Sequence, residues 1–223
     1  MKFRKPEEIE KRSFEIIRGE LPHPLDPVLA PVILRVIHTT ADFEYVESLA
    51  FSDGVIDCAI KALQQGVTIV SDTNMVKAGV DGARLCALGC EIHCFIRDED
   101  VAKTALRNGI TRAHAAVDKA VAMGDSLIFA IGNAPTALLR ICELKEAGEC
   151  SPALVIGVPV GFVNVVESKE VLIRSGIPYI TARGRKGGSN VAAAICNALL
   201  RMAAGEIVRG YYSTFQNDTD MVK

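Results

Sequence analysis

The chain has 223 residues, a formal net charge of -2 and a hydrophobic fraction of 49%. That length and apolar content suit one large α/β domain that folds without disulfides or a structural metal. The balanced charge excludes a general nucleic-acid binder, which carries a strong basic excess. The longest uncharged run, "SPALVIGVPVGFVNVV", is interrupted by Pro152, Gly157, Pro159 and Gly161 and falls short of the ~20 residues of a membrane span. The N-terminal "MKFRKPEEIEKR" is charged and lacks the apolar stretch of a signal peptide, so the expectation is a cytoplasmic protein with no membrane partner. The 7 cysteines lie mostly in apolar segments, which reads as buried thiols.

In chain order, Pro6 to Gly19 reads as a helix, with Ile9, Phe14, Ile16 and Ile17 as an apolar stripe. After the turn "LPHPLDP", Asp26 and Pro27 have the pattern of a helix N-cap and first turn. This second helix is expected to run through "VLAPVILRVI" and end near His38, with Thr39 or Thr40 capping the next one and Asp42 completing a near-capping box. From residue 54 the pattern alternates. "GVIDCAIKALQQG" is helical and feeds the apolar run "VTIVSD". Four further β-rich runs are "EIHCFI", "SLIFAIG", "ALVIGV" and "PYITARG", of the length of strands buried on both faces. Helical stretches separate them, and Gly66, Gly124, Gly148, Gly176 and Gly205 stand where helices stop. Alternation of this kind predicts a three-layer α/β/α domain over residues 1–223, with a mainly parallel sheet of about five strands. Residues 206–223 read as a polar C-terminal tail.

Ligands of an open parallel sheet bind beyond the carboxyl ends of its strands. There the sequence places "SDTNM", "RDED", "GNAPT", "PVGFVN" and "RGRKGGS". The last is the strongest local signal. Arg183, Arg185 and Lys186 precede Gly187 and Gly188, and a helix opens near Ser189. Cations and glycines at a helix N-terminus suit phosphate or carboxylate; a solvated basic loop is the alternative. No nucleotide-binding glycine motif follows any strand. Cys86, Cys90 and Cys94 with His93 invite a metal reading, but Cys94 falls in an expected buried strand and no second ligand pair appears. Thiols in the core are the preferred reading. A histidine at a helix C-terminus is favoured by the dipole when protonated, so His38 taken alone reads as structural.

The segments "RVIHTTADFEY", "SDTNMV", "AIGNAPTAL", "ALVIGVPVGFVNVVESKE" and "GIPYITARGRKGGSNVAAA" resemble the precorrin-8X methylmutases, among them the cobalt-precorrin-8 methylmutases, from about Pro6 to about Gly205. The resemblance implies an α/β homodimer with sites near the subunit interface. It implies an isomerase of cobalamin biosynthesis that moves a methyl group from C-11 to C-12 of a corrinoid precursor, formally a 1,5-sigmatropic shift, giving hydrogenobyrinate or cobyrinate. No cofactor is implied; any cobalt arrives inside the substrate. His38 aligns with the family's catalytic histidine, a general acid that protonates the conjugated ring. The tetrapyrrole polycarboxylate would meet Arg183, Arg185, Lys186, Ser189 and Arg112; Ser13 and Arg112 match positions lining the family's pocket, and Lys77 and Asn133 are further candidates. "GNAPT" and "PVGFVN" would give close backbone approach and an apolar wall. Two alternatives use the same basic loop: an isomerase of a phosphorylated metabolite, and a carrier that binds the corrinoid without converting it.

Overall fold

A computed structural model describes residues 5–124 and 127–206. Helix α1 (Pro6–Gly19) leads through the proline-rich turn to α2 (Ala30–Thr40) and the single turn α3 (Tyr45–Ser48). Strand β1 (Leu49–Phe51) follows, then α4 (Val55–Gln64), β2 (Thr68–Ser71), the short helices α5 (Asn74–Gly79) and α6 (Gly82–Ala87), and β3 (Glu91–His93). The second half comprises α7 (Glu99–Asn108), α8 (Arg112–Val121), β4 (Leu127–Ile131), α9 (Pro135–Glu146), β5 (Leu154–Gly157), α10 (Val165–Arg174), β6 (Tyr179–Ala182) and α11 (Ser189–Ala203).

The strands form one sheet in the order β1-β6-β5-β4-β2-β3. β2 pairs in parallel with β3 and β4, as do β4 with β5 and β5 with β6; β1 is antiparallel to β6. The chain steps outward from β2 to β3 and then returns to β4 on the other side of β2. Its winding therefore reverses between β2 and β4, and the carboxyl ends of these two strands flank the crevice where such folds bind ligands. Alternation along β4 supplies both faces: Ile128 and Ala130 join α2, α4 and α11 in one core, whereas Leu127, Phe129 and Ile131 join α8, α9 and α10 in the other.

The five expected strands are present, and the expected mixed three-layer architecture holds. The antiparallel β1 adds a sixth; its three residues are too short to show a period. The expected glycine stops all have positive φ, from 71° at Gly205 to 86° at Gly124. Three local expectations need correction. Asp26 caps a turn, its carboxylate accepting from Val28 N at 2.7 Å, and the regular helix opens only at Ala30. The capping box at Thr39 does not form: α2 runs on to Thr40, whose hydroxyl bonds back to the Val36 carbonyl at 2.8 Å, and Ala41 ends it at φ 54°. The thiols are less buried than expected. Cys90, Cys142 and Cys196 are buried, but Cys58 and Cys86 are exposed, and Cys94 lies half-buried just past β3. Among the described residues no helix is long and apolar enough to cross a membrane. The expected tail lies outside the described residues from 207 onward; Glu206 pairs with Arg84 at 2.6 Å.

Candidate functional site

At the winding reversal, Asp72 follows β2 and is 5% exposed. Its carboxylate accepts N–H bonds from Gly132 at 2.9 Å, Asn133 at 2.8 Å and Ala134 at 2.7 Å. Burial pushes its carboxyl pKa up, and the three donors pull against that. Asp72 thus fixes the turn "GNA" that opens α9. The adjoining Thr73 caps α5 through Val76 N at 3.1 Å and meets the Ser189 hydroxyl at 2.9 Å. Gly132 packs so closely on α11 that a Cβ there would lie 2.7 Å from Ser189 Cα. The start of α11 is in this way locked to the ends of β2 and β4.

The basic loop 183–189 crosses the end of β5. Gly188 N donates to Val158 O at 2.8 Å, and Gly161 N to Arg185 O at 3.2 Å. Arg183 pairs with Glu170 at 3.1 Å, and Lys186 with Asp42 at 2.6 Å and Glu44 at 2.9 Å. Arg185 has no carboxylate partner among the described residues and lies over the Phe162 ring at 5.4 Å. Two of the loop's three cations are therefore already paired. The same loops expose an apolar strip: Val160, Phe162 and Val163 are 48%, 83% and 77% accessible. Exposed apolar side chains next to cations suit a ligand that is partly apolar and carries anionic groups.

His38 stands on the last turn of α2. Its outer edge is exposed, while its ring stacks on Phe14 with centroids 4.9 Å apart and planes 15° from parallel. Arg35, one turn earlier, lies over the same Phe14 ring at 4.8 Å. Glu10 of α1 bonds Arg35 at 2.7 Å and Arg201 of α11 at 3.4 Å. Partial burial lowers the His38 pKa, and the Arg35 and Arg201 charges lower it further against the opposing pull of Glu10. In the free protein His38 is therefore mainly neutral at neutral pH.

The other expected residues separate by position. Arg112 opens α8, whose cap Thr111 meets Thr136 of α9 at 2.9 Å. That brings Arg112 to the same sheet end, where it lines a cleft of about 540 Å³ with Glu99, Lys103 and Leu106. Asn133 is exposed beside Asp72, and Lys77 is exposed on α5. Ser13 donates to the Ile9 carbonyl at 2.9 Å, on the turn of α1 that carries Phe14. No contact among the described residues joins His38 directly to Arg183, Arg185 or Arg112. The link is indirect: Asp42, four residues after His38, holds Lys186. Phe14 and Asp42 were expected only in a helix stripe and a cap, and no role was expected of Asp72 or Lys169. Asp72 left a signal, an acid ending an apolar strand. Lys169 left none.

A doubly wound sheet with a cationic loop beyond the carboxyl ends of its strands has the layout of an α/β domain that binds a small molecule. The family follows from comparison. The sequence model of precorrin-8X methylmutase matches residues 8–202, and the chain belongs to that family. The cobalt-precorrin-8 methylmutase of Priestia megaterium is 47% identical over 199 residues, covering 89% of this chain and 88% of that protein. The one from Salmonella typhimurium is 45% identical over 202 residues, covering 87% and 94%. A crystal structure of precorrin-8X methyl mutase from Thermus thermophilus superposes with a TM-score of 0.82 at 42% identity, covering 88% of this chain and 98% of that one. These relatives are methylmutases, a class of isomerase.

Proposed function

We propose that this chain is a cobalt-precorrin-8 methylmutase that moves a methyl group from C-11 to C-12 of the corrinoid ring and yields cobyrinate. His38 is the general acid. It donates a proton to the conjugated ring, draws electron density from the carbon bearing the methyl group, and regains the proton once the group has migrated. Arg185, Arg183, Lys186 and Arg112 receive the ring's carboxylates, with Ser13, Lys77, Asn133 and Ser189 as polar contacts along its rim. Val160, Phe162 and Val163 form the apolar wall. The reading includes a cytoplasmic homodimer that uses no cofactor of its own; cobalt belongs to the substrate. The cobalt form is preferred because the relatives at 43% to 47% identity carry that name.

The observation that carries the reading is the Lys186–Asp42 pair, which ties the cationic loop to the segment bearing His38. A lowered His38 pKa fits an acid that charges only when a polyanion arrives, because nearby carboxylates favour the imidazolium. The test is direct. Purified protein mixed with cobalt-precorrin-8 should change the visible spectrum with time, and the metal-free precursor should react more slowly. Tight binding with a static spectrum would identify a carrier instead. Affinity for sugar phosphates without affinity for corrinoids would mark the phosphorylated-metabolite isomerase.

A further inference from the structure

A lysine on α10 has no surface at all. Lys169 is 0% exposed, and no carboxylate lies within ion-pair distance among the described residues. Its Nζ donates to two backbone carbonyls of the basic loop, Gly184 O at 2.9 Å and Lys186 O at 2.7 Å. Burying an ammonium without an acid is costly, and in the sequence "VESKEV" nothing but the loop above uses it.

The two bonds set the direction of the loop's peptide planes. All described peptides are trans, so each N–H points opposite to the carbonyl of its own peptide unit. Lys169 draws the carbonyls of Gly184 and Lys186 inward. The N–H groups of Arg185 and Gly187, which share those peptides, are thereby turned away from Lys169. Neither finds an acceptor among the described residues. The intervening Arg185 carbonyl turns the other way and accepts from Gly161 N. Gly184 at φ 75° and Gly187 at φ 155° supply the backbone freedom this alternation needs. Gly187 also lies flush on β5's end, where a Cβ would fall 2.2 Å from Val158 O. Each is thereby a backbone donor on the outer side of the loop, left for a ligand.

We propose that Lys169 is the positioning residue that turns the N–H groups of Arg185 and Gly187 in loop 183–189 outward as backbone anion donors, each of which donates to a carboxylate oxygen of the substrate. The proposal rests on the reading that this loop meets a polycarboxylate. Its donors are backbone N–H groups and not the loop's side-chain cations, of which Arg183 and Lys186 are already paired. The ammonium beneath adds positive potential; although burial lowers its pKa to about 8, it stays charged at neutral pH.

Amide NMR of the labelled full chain, titrated with tricarballylate as probe, tests the site itself. The Arg185 and Gly187 amide resonances should move on saturation, and Lys169→Met should abolish the movement. In turnover assays Lys169→Met should raise KM about tenfold while kcat stays within about threefold. Wild-type amides that ignore the probe would overturn the proposal however the variant folds. So would a folded variant with wild-type amide shifts, or one that loses kcat at unchanged KM. If the wild-type protein fails to convert any corrinoid, the methylmutase reading falls, and the amide titration still decides the site.

Discussion

His38 shows how a single side chain is set by neighbours distant in sequence. Phe14 covers one ring face, Arg35 and Arg201 oppose its charge, and Glu10 favours it. The profile of kcat/KM reports the free enzyme. Its high-pH limb should therefore fall at a pH below the ordinary histidine value of 6.5, since the proton needed for donation is lost as pH rises through the lowered pKa. The profile of kcat reports the complex, and its limb should lie at higher pH. Coincident limbs would show that the substrate's carboxylates do not act on His38. Among the described residues Arg185 is the basic-loop cation with no carboxylate partner, so Arg185→Glu should raise KM by about one to two orders of magnitude, roughly the strength of a charge-assisted contact, and leave kcat nearly intact. Steady-state kinetics at fixed pH separates the two. The sequence made His38, Arg183, Arg185 and Lys186 visible because glycines and a helix start surround the loop and a family motif surrounds the histidine. It hid that Arg183 and Lys186 are bound to Glu170, Asp42 and Glu44, since those pairings cross elements.

The elements meet at the junction of β2, β4 and α11, which Asp72 holds. Asp72→Asn replaces an oxygen that accepts with an amide that donates, opposite N–H groups that also donate. At least one buried bond is lost, a cost of about 1–3 kcal/mol, measurable as a lower urea midpoint at unchanged slope, together with a higher KM. An unchanged midpoint would mean the "GNA" turn holds without it. The parallel strands were legible as apolar runs set between helices, and the long helices by an apolar period of about 3.6 residues. β1, α3 and α5 were not: segments of 3, 4 and 6 residues show no period, and β1 owes its form to pairing with β6. The helix end at His38 was misplaced by two residues because Thr40 bonds back to the Val36 carbonyl at 2.8 Å and so stays in the helix, while also accepting from Asp42 N at 3.3 Å.

Over the whole molecule, function and stability conflict at Lys169. Its pKa is about 8 in the folded chain against an ordinary 10.5. Between those values the unfolded chain holds a proton that the folded chain has released, so this group makes stability rise with pH from 8 towards 10.5. Its contribution is lost as pH falls through 8. Urea midpoints at pH 7 and pH 10 should show wild type gaining on Lys169→Met at the higher value; a constant difference would remove the coupling. The layers and the parallel pairing were readable because strands and helices alternate along the chain; the strand order and the antiparallel β1 were not. The buried lysine was not, because "SKEVLIR" has the pattern of a solvated amphipathic helix, and only its docking beneath loop 183–189 buries the charge. The central claim is that the His38 imidazole transfers the proton that lets the methyl group move. Its most direct test is His38→Ala incubated with cobalt-precorrin-8 and followed by visible absorption. The account predicts binding close to wild type and a kcat lower by about two to four orders of magnitude. Conversion at the wild-type rate would contradict it.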